Sequence, residues 1–301
     1  MEENFLNNNP LTSKFKLLNY KKYITDTFPK RDLDLKKKYQ VVIMAAGKGT
    51  RMNIHYPKPL FKLNYPKKKK TVLSNLIDVI SSTKLDIYKI NLVINEIDEN
   101  YFENDGFISD EIEIIKLNEK DIKGTAFCLN KIKDFLSHDH DILLFWGDLA
   151  IIPSSYIFYS VLFHEKFNSF ITMPTKLMKD PYVAFIRDSN GKFSDIFHSN
   201  ENSQYFGYAE QDCSFFVLNK KAINYIGDFI KKEENLGKDN FDFVHYIPFC
   251  SKHHNIIGLP FADYKYITGI NTIDKTKELD KQLNNYTKDE YERIFLNPWS
   301  L

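Results

Sequence analysis

Apolar runs and helically spaced apolar positions alternate along the first half of this 301-residue chain, between residues 39 and 148. Short β-branched runs predict buried strands, and apolar residues three or four positions apart predict amphipathic helices. The predicted strands cover 40–45, 90–94, 112–115 and 141–146, and the predicted helices between them cover 72–82 and 125–136. Strands that alternate with helices favour a mostly parallel sheet joined by right-handed crossovers.

The pattern changes after residue 148, where the apolar runs become shorter and turn signals separate them. One such signal is Asp-Ser-Asn-Gly at 188–191, which is typical of tight turns between antiparallel strands. Strands are predicted at 169–173, 182–186, 192–196, 214–218, 255–257 and 264–266, and helices at 220–231, 241–249 and 273–283. The expected fold is α/β, with a Rossmann-like mixed, mostly parallel sheet flanked by helices. One domain is expected at 39–290, between an N-terminal extension at 1–38 and a C-terminal tail at 291–301.

Composition narrows the class of protein without identifying it. Hydrophobic residues make up 43% of the chain and charged residues 27%, as in a soluble globular domain, and the net charge is +1. This balance gives no electrostatic reason to expect a nucleic acid or an anionic membrane as partner. The three cysteines lack metal-ligand spacing, and neither an apolar leader nor a membrane-length apolar stretch is present. We therefore expect a cytoplasmic protein.

The segment most informative about chemistry is the loop after the first strand, Gly-Lys-Gly-Thr-Arg at 47–51, which Pro-Lys-Pro at 57–59 follows. Its two glycines let backbone N–H groups approach a polyphosphate, and the cations Lys48, Arg51 and Lys58 can neutralise one. A dinucleotide fingerprint would need a third glycine at the position of Met52, and a Walker A loop would need four residues between its glycines. The kinase motifs are absent as well. The residues therefore favour nucleotidyl transfer.

This segment, Ala-Ala-Gly-x-Gly-Thr-Arg-Met followed by Pro-Lys, resembles the signature of the sugar-phosphate nucleotidyltransferases. Only five residues separate Arg51 from Pro57, a gap similar to that of the N-acetylglucosamine-1-phosphate uridylyltransferases. No hexapeptide repeat occurs, so the acetyltransferase domain that many bacterial members carry is expected to be missing. The resemblance implies catalytic roles for Arg51 and Lys58. It also implies that the nucleotide is held by Ala45, Ala46, Gly47, Lys48, Gly49 and Thr50.

A candidate metal site begins at Trp-Gly-Asp, residues 146–148, which closes an apolar strand. Ligands of open α/β sheets bind beyond the carboxyl ends of the strands, so Asp148 is expected to face the site. A carboxylate together with substrate phosphates suits Mg²⁺. The resemblance implies Asn271, just before the last predicted helix, as the second metal ligand. The alternative is that Asp148 is a turn residue and that Asn271 or Thr272 caps the helix.

The resemblance further implies a base-recognition loop at Gly124 and Thr125, where unpaired N–H groups of a helix start could bind a ribose or base oxygen. Alternatively, Thr125 only caps that helix. Glu119 stands where the uridylyltransferases have glutamine. A carboxylate can only accept hydrogen bonds, so Glu119 suits the amine of cytosine at least as well as uracil. The acceptor-side positions that the resemblance implies are Ala184, His198 and Asp212.

The expected reaction joins a nucleoside triphosphate to a sugar-1-phosphate and yields an NDP-sugar and pyrophosphate, with Mg²⁺ as cofactor. Arg51 and Lys48 would hold the β- and γ-phosphates, and Lys58 the α-phosphate. The first-choice substrates are UTP and N-acetylglucosamine-1-phosphate. Two alternatives stay open: a cytidylyltransferase acting on a phosphorylated sugar or alcohol, and a nucleotide-binding regulatory protein without turnover. The presence of all three cations and of Asp148 weighs against the second, because a sensor does not need them all.

Overall fold

The computed structural model of the protein describes residues 35–47, 49–66, 68–105, 112–201, 204–260 and 264–299. The expected extension at 1–38 lies outside these ranges except for residues 35–38. Within the described residues, no helix is both long and apolar enough to cross a lipid bilayer.

The secondary structure alternates between strands and helices and then becomes strand-rich. The strands are β1 (Tyr39–Met44), β2 (Lys62–Tyr65), β3 (Lys68–Thr71), β4 (Ile87–Asn95), β5 (Ile112–Leu117), β6 (Asp141–Trp146), β7 (Leu149–Ile151), β8 (Ile171–Lys179), β9 (Val183–Arg187), β10 (Phe193–His198), β11 (Tyr208–Asp212), β12 (Phe215–Leu218), β13 (Ile256–Leu259) and β14 (Thr268–Gly269). The α-helices are α1 (Val72–Ser82), α2 (Glu99–Asn104), α3 (Thr125–Ile132), α4 (Ser154–Lys166), α5 (Ile226–Asn235), α6 (Phe243–Ser251), α7 (Ile273–Asn284) and α8 (Lys288–Phe295).

One ten-stranded sheet dominates the fold, with the order β10-β9-β11-β8-β12-β6-β1-β4-β5 and with β13 added beside β8. The strands β6, β1, β4 and β5 are parallel, whereas β12, β8, β11, β9 and β10 pair antiparallel. The short pairs β2–β3 and β7–β14 lie outside this sheet. The predicted fold class, a mixed α/β sheet flanked by helices, is confirmed.

The sheet separates two hydrophobic cores. Along β1, Val41 and Ile43 face one core while Val42 faces the other, and all three side chains are fully buried. A strand covered on both faces reads as a continuous apolar run, which is why its sequence does not alternate. Met44 pairs with Trp146, so the carboxyl ends of β1 and β6 lie side by side. The loops that follow these two strands therefore emerge at the same edge.

A third, smaller core lies beside that edge. It joins Met52 of the glycine-rich loop and Ile270 to residues of α7 and α8, among them Leu279, Tyr291 and Phe295. The boundary expected between 290 and 291 falls inside α8. The C-terminal helices α7 and α8 thus share a core with the glycine-rich loop through Met52.

Most predicted elements are present, and the differences have physical reasons. The stretch 264–266 is a 3₁₀ turn, so the strand predicted there is wrong. Helix α5 starts at Ile226, after a 3₁₀ turn at Ala222–Tyr225, and α3 ends at Ile132 before another 3₁₀ turn. Sequence patterning missed α4 because its residues Ser154 to His164 are all buried, which removes the polar face that makes a helix recognisable.

Candidate active site

The glycine-rich loop turns sharply after β1 and is anchored at its far end. Gly49 has φ of 61°, a left-handed conformation that glycine adopts without strain. The N–H of Met52 donates to the Gly49 carbonyl at 3.0 Å, and the Met52 side chain is 1% exposed in the third core. A Cβ at Gly49 would lie 3.2 Å from Cγ of Lys58, so the loop folds closely over that lysine. Lys48 lies outside the described residues, as does the Thr50 side chain.

Lys58 is the cation that the fold brings next to the predicted metal ligand. It lies in the 3₁₀ turn Lys58–Leu60, and the residue is only 9% exposed. Its Nζ is 3.6 Å from Oδ2 of Asp148. A buried ammonium needs a charge partner, and the Asp148 carboxylate supplies it.

Asp148 emerges from the end of β6 through a tight glycine. The N–H of Gly147 donates to the Met44 carbonyl at 2.9 Å, and a Cβ at Gly147 would lie 3.0 Å from that oxygen and 3.2 Å from Cα of Ala45. Burial raises the pKa of Asp148 above its ordinary value, while Lys58 and Arg51 act in the opposite direction. Neighbouring positive charge thus stabilises the ionised form of this carboxylate against the effect of burial.

Asn271 directly follows Ile270, whose backbone pairs with that of Asp148 next to the short β7–β14 pairing. Ile270 donates its N–H to the Asp148 carbonyl at 2.9 Å, and a Cβ at Gly269 would be 3.6 Å from Asp148 Oδ1. Thr272 is the N-cap of α7, with its side chain accepting from the Lys275 N–H at 3.4 Å. Thr272, and not Asn271, is therefore the N-cap of α7. Asn271 precedes it by one position. The pair offers a carboxylate and an amide oxygen, which is a donor set that suits Mg²⁺.

Arg51 reaches from the loop to the antiparallel half of the sheet. Its Nη1 donates to the Tyr182 hydroxyl at 3.2 Å, and its Cζ lies 5.5 Å from the centroid of that ring. The Arg51 side chain is exposed. Sequence reasoning missed Tyr182, which precedes β9, because nothing local marks a tyrosine that contacts a residue 131 positions away.

The Gly124–Thr125 turn is sealed by the segment before α6. Gly124 has φ of 93°, and a Cβ there would be 2.5 Å from the Phe241 backbone. The N–H of Ala126 donates to the Phe241 carbonyl at 2.9 Å, and that of Thr125 to Asp242 Oδ1 at 3.4 Å. The N–H groups of Thr125 and Ala126 therefore have partners within the protein, and base recognition by Gly124 and Thr125 stays a prediction.

Thr125 also caps a different helix from the one expected. Its Oγ1 accepts the N–H of Phe243 at 2.8 Å, at the start of α6, whereas Gly124 is the N-cap position of α3. Glu119 is exposed and opens the 3₁₀ turn Glu119–Asp121, which leads into this segment. The loop is thus a rigid junction between α3 and α6.

The three acceptor-side positions lie in the antiparallel half of the sheet. Ala184 is fully buried in β9 opposite Phe197, while His198 and Asp212 end β10 and β11. Asp212 Oδ1 accepts the N–H of Ser214 at 2.7 Å. Burial raises the pKa of Asp212, while the hydrogen bond from Ser214 and the charge of Lys176 act in the opposite direction.

Lys176 is a second residue that sequence reasoning missed. It is 9% exposed within β8, and its Nζ donates to the Ile267 carbonyl at 3.4 Å. In sequence, Lys176 is one of two lysines among the otherwise uncharged residues of β8, and the strand predicted there ended at residue 173. Buried beside Asp212, it brings a positive charge to this half of the sheet.

Comparison with known proteins supports the reading of the loop. The chain is 34% identical over 203 residues to the Bifunctional protein GlmU of Buchnera aphidicola, an alignment that covers 67% of this chain and 39% of that protein. GlmU of Thermosipho melanesiensis is 25% identical over 248 residues, covering 81% of this chain and 50% of that protein. The chain thus spans half or less of the length of these curated relatives. No protein-family model matches the chain.

Solved structures share the fold. The inositol-1-phosphate CTP transferase from T. maritima superposes with a TM-score of 0.60 at 16% identity, covering 84% of this chain and 99% of that one. HddC from Yersinia pseudotuberculosis gives a TM-score of 0.57 at 16% identity, covering 81% of this chain and 99% of that one. The solved structures show the fold, and the glycine-rich loop and the sequence matches indicate the class, that of the nucleotidyltransferases. The chain belongs to the sugar-phosphate nucleotidyltransferases. Within that family, it is similar to the GlmU proteins.

Proposed function

We propose that this protein transfers a nucleotidyl group from a nucleoside triphosphate to a sugar-1-phosphate, with UTP and N-acetylglucosamine-1-phosphate as the preferred pair. The observation that carries the proposal is the 3.6 Å contact between Lys58 and Asp148 beneath the glycine-rich loop, with Asn271 close by. The residues that we propose to bind phosphate and metal thus lie at one edge of the sheet. The similarity to the GlmU proteins supports this choice of substrates.

The position of Lys58 next to Asp148 supports the phosphate-binding roles expected from the sequence. The loop residues Ala45 to Thr50, among them the cation Lys48, bind the triphosphate. Arg51 neutralises the charge that grows on the leaving pyrophosphate. Lys58, already beside Asp148, holds the α-phosphate. The acceptor phosphate attacks the α-phosphorus in line while pyrophosphate leaves on the opposite side. Catalysis then consists of positioning and charge neutralisation by preorganised groups.

Asp148 and Asn271 are the residues that would hold Mg²⁺. Mg²⁺ takes a few protein oxygens and leaves its remaining positions to water and substrate phosphate, so two ligands suffice. When bound, the ion would supply charge neutralisation at the phosphates and a template for their orientation. The raised pKa of Asp148 supports this role, because a bound cation would stabilise the ionised form that burial disfavours.

The acceptor would lie against the antiparallel half of the sheet. Ala184, His198 and Asp212 keep their proposed acceptor-side roles, and Tyr182 and Lys176 join them. Tyr182 bridges Arg51 and this half, and Lys176 supplies positive charge beside Asp212. A phosphorylated sugar would meet both a cation and hydrogen-bonding groups there.

A cytidylyltransferase is the second candidate, because Glu119 replaces the glutamine of the uridylyltransferases. If Glu119 reads the base together with the Gly124–Thr125 loop, Glu119→Gln restores a donor for a uracil carbonyl. The ratio of kcat/KM for UTP over CTP should then rise roughly 5- to 150-fold, since an unpaired polar group costs about 1–3 kcal/mol. Measuring the ratio for both proteins with one acceptor checks this. A change below about twofold removes the reason for the cytidylyl alternative.

A pyrophosphate-release panel tests the proposed function itself. Four nucleoside triphosphates are each combined with N-acetylglucosamine-1-phosphate, glucose-1-phosphate, phosphocholine and inositol-1-phosphate in the presence of Mg²⁺. We expect UTP with N-acetylglucosamine-1-phosphate to give the highest kcat/KM. A maximum with CTP would favour the second candidate, and tight nucleotide binding without turnover in any combination would favour a regulatory protein.

A further inference from the structure

Three metal-ligating side chains meet where the end of β10 lies against α6. His198 ends β10, Glu201 ends the 3₁₀ turn that follows it, and His245 lies on α6. Glu201 Oε1 is 3.3 Å from His198 Nδ1 and 2.8 Å from His245 Nε2. One ligand atom from each of the three residues lies within 4.8 Å of the others.

These distances fit a transition metal. Zn²⁺ binds histidine nitrogen and carboxylate oxygen at about 2.0–2.2 Å in tetrahedral geometry, which places the ligand atoms about 3.3–3.5 Å from one another. The measured 2.8 and 3.3 Å separations need only small side-chain movements to reach that range. We propose that His198, Glu201 and His245 form a binding site for Zn²⁺ or a similar divalent transition metal.

The surroundings of the cluster favour metal binding. The side chain of His198 is 8% exposed, that of His245 15% and that of Glu201 32%, so an ion could enter from solvent. Asp242 Oδ2 is 4.0 Å from His198 Nδ1, close enough to supply a fourth ligand. The other Asp242 oxygen accepts the Thr125 N–H at 3.4 Å, which fixes the orientation of that carboxylate. Such outer hydrogen bonds are the usual support of metal ligands.

This site differs in kind from the proposed magnesium site. Asp148 and Asn271 offer only oxygen, which suits Mg²⁺, whereas two imidazoles favour a softer ion. A metal at the cluster would connect β10 to α6. The Tyr182 ring lies edge-on to His198, with centroids 5.1 Å apart, and the Tyr182 hydroxyl accepts from Arg51. The ion would therefore also restrain Tyr182, which contacts both His198 and Arg51 of the glycine-rich loop.

Metal binding at this cluster is independent of the proposed reaction. His198 would bind the metal as an alternative to its acceptor-side role, and the two roles can be told apart because metal binding needs no acceptor. The test is therefore made on tag-free protein stripped with EDTA, in buffer with Mg²⁺ and without substrate. Isothermal titration with Zn²⁺, metal analysis after gel filtration, and the visible spectrum of the Co²⁺ form are measured.

We expect one equivalent of Zn²⁺ per chain and intense Co²⁺ bands of a tetrahedral site. At a hundredfold excess of Zn²⁺ over Kd, the Tm should rise by roughly 4–8 °C. His245→Gln and Glu201→Gln should each weaken Zn²⁺ binding by at least about 100-fold, because loss of a direct ligand costs more than loss of an outer partner. The matched control His253→Gln removes an exposed histidine outside the cluster and should bind as wild type does. Asp148→Asn should also retain Zn²⁺.

The proposal is overturned if the stripped protein binds no Zn²⁺ below millimolar concentration. It is equally overturned if His245→Gln and Glu201→Gln bind as tightly as His253→Gln, because binding would then lie elsewhere. Far-UV circular dichroism of the metal-free variants verifies that they are folded. Two variants on different elements keep the test decisive should one of them unfold.

Discussion

The ion pair between Lys58 and Asp148 allows a quantitative test of the site in its substrate-free form. At the 3.6 Å separation, an effective dielectric constant of about 20 gives roughly 4–5 kcal/mol of attraction. Desolvation offsets much of this, since the two side chains are only 11% and 26% exposed. We expect a net coupling free energy of about 1.5–2 kcal/mol.

The test is a double-mutant cycle of Lys58→Met, Asp148→Asn and the double variant. Each protein is unfolded with urea at 25 °C in EDTA, and the free energy of unfolding is taken from linear extrapolation. Lys58→Met should cost about 2 kcal/mol, because the half-buried Asp148 carboxylate then has only the weaker influence of Arg51 to compensate its charge. The double variant should be closer to wild type than the sum of the single variants predicts.

The pH dependence of this cost follows from the pKa of Asp148, which burial already raises. An acid whose folded pKa lies above its unfolded value binds more protons when folded, so its contribution to stability falls as pH rises between the two values. Removing Lys58 raises the folded pKa further and widens that window. The difference between wild type and Lys58→Met should therefore be smaller at pH 4.5 than at pH 8. A coupling below about 0.5 kcal/mol, or a pH-independent difference, would refute this reasoning.

Two further substitutions test the framework around the site by urea denaturation. Gly124→Ala should be much more destabilising than Gly237→Ala, because both have positive φ but only Gly124 has backbone 2.5 Å from an added Cβ; equal costs would contradict the sealed junction. Glu210→Gln should cost about 3–5 kcal/mol, because it leaves the buried Arg187 side chain without its charge partner, whereas Glu99→Gln, in a partly exposed ion pair, should change little. A small effect at Glu210 would mean that Arg187 finds another partner.

The parallel half of the fold was predictable because its signals are local. Neighbouring residues alone are enough to recognise the apolar run of β1, the glycine-rich loop and the Trp-Gly-Asp end of β6. Ligands bind beyond the ends of parallel strands, and this rule predicts that Asp148 lies near the loop. The pairing of Met44 with Trp146 agrees, because it brings the ends of β1 and β6 side by side. What the rule could not give was Lys58 as the partner of Asp148, because that contact depends on how closely the loop folds over it.

The remaining features depend on contacts between distant parts of the chain. Thr125 caps α6, whose first residue Phe243 is 118 positions away, and no local pattern distinguishes this from a cap on its own helix. The Arg51–Tyr182 contact and the burial of Lys176 beside Asp212 also arise only in the folded sheet. Periodicity reports which face of an element is buried, and it carries no information about what lies against that face.

The measurement that tests the central claim most directly is the paired yield of pyrophosphate and nucleotide-sugar from UTP and N-acetylglucosamine-1-phosphate. The wild-type protein with Mg²⁺ should release the two products in equal amounts, and none in excess EDTA. Asp148→Asn, folded by circular dichroism, should lower kcat by about 10²–10³, the range for loss of one preorganised electrostatic group. Turnover that survives EDTA, or an Asp148→Asn variant with near-normal kcat, would contradict the account.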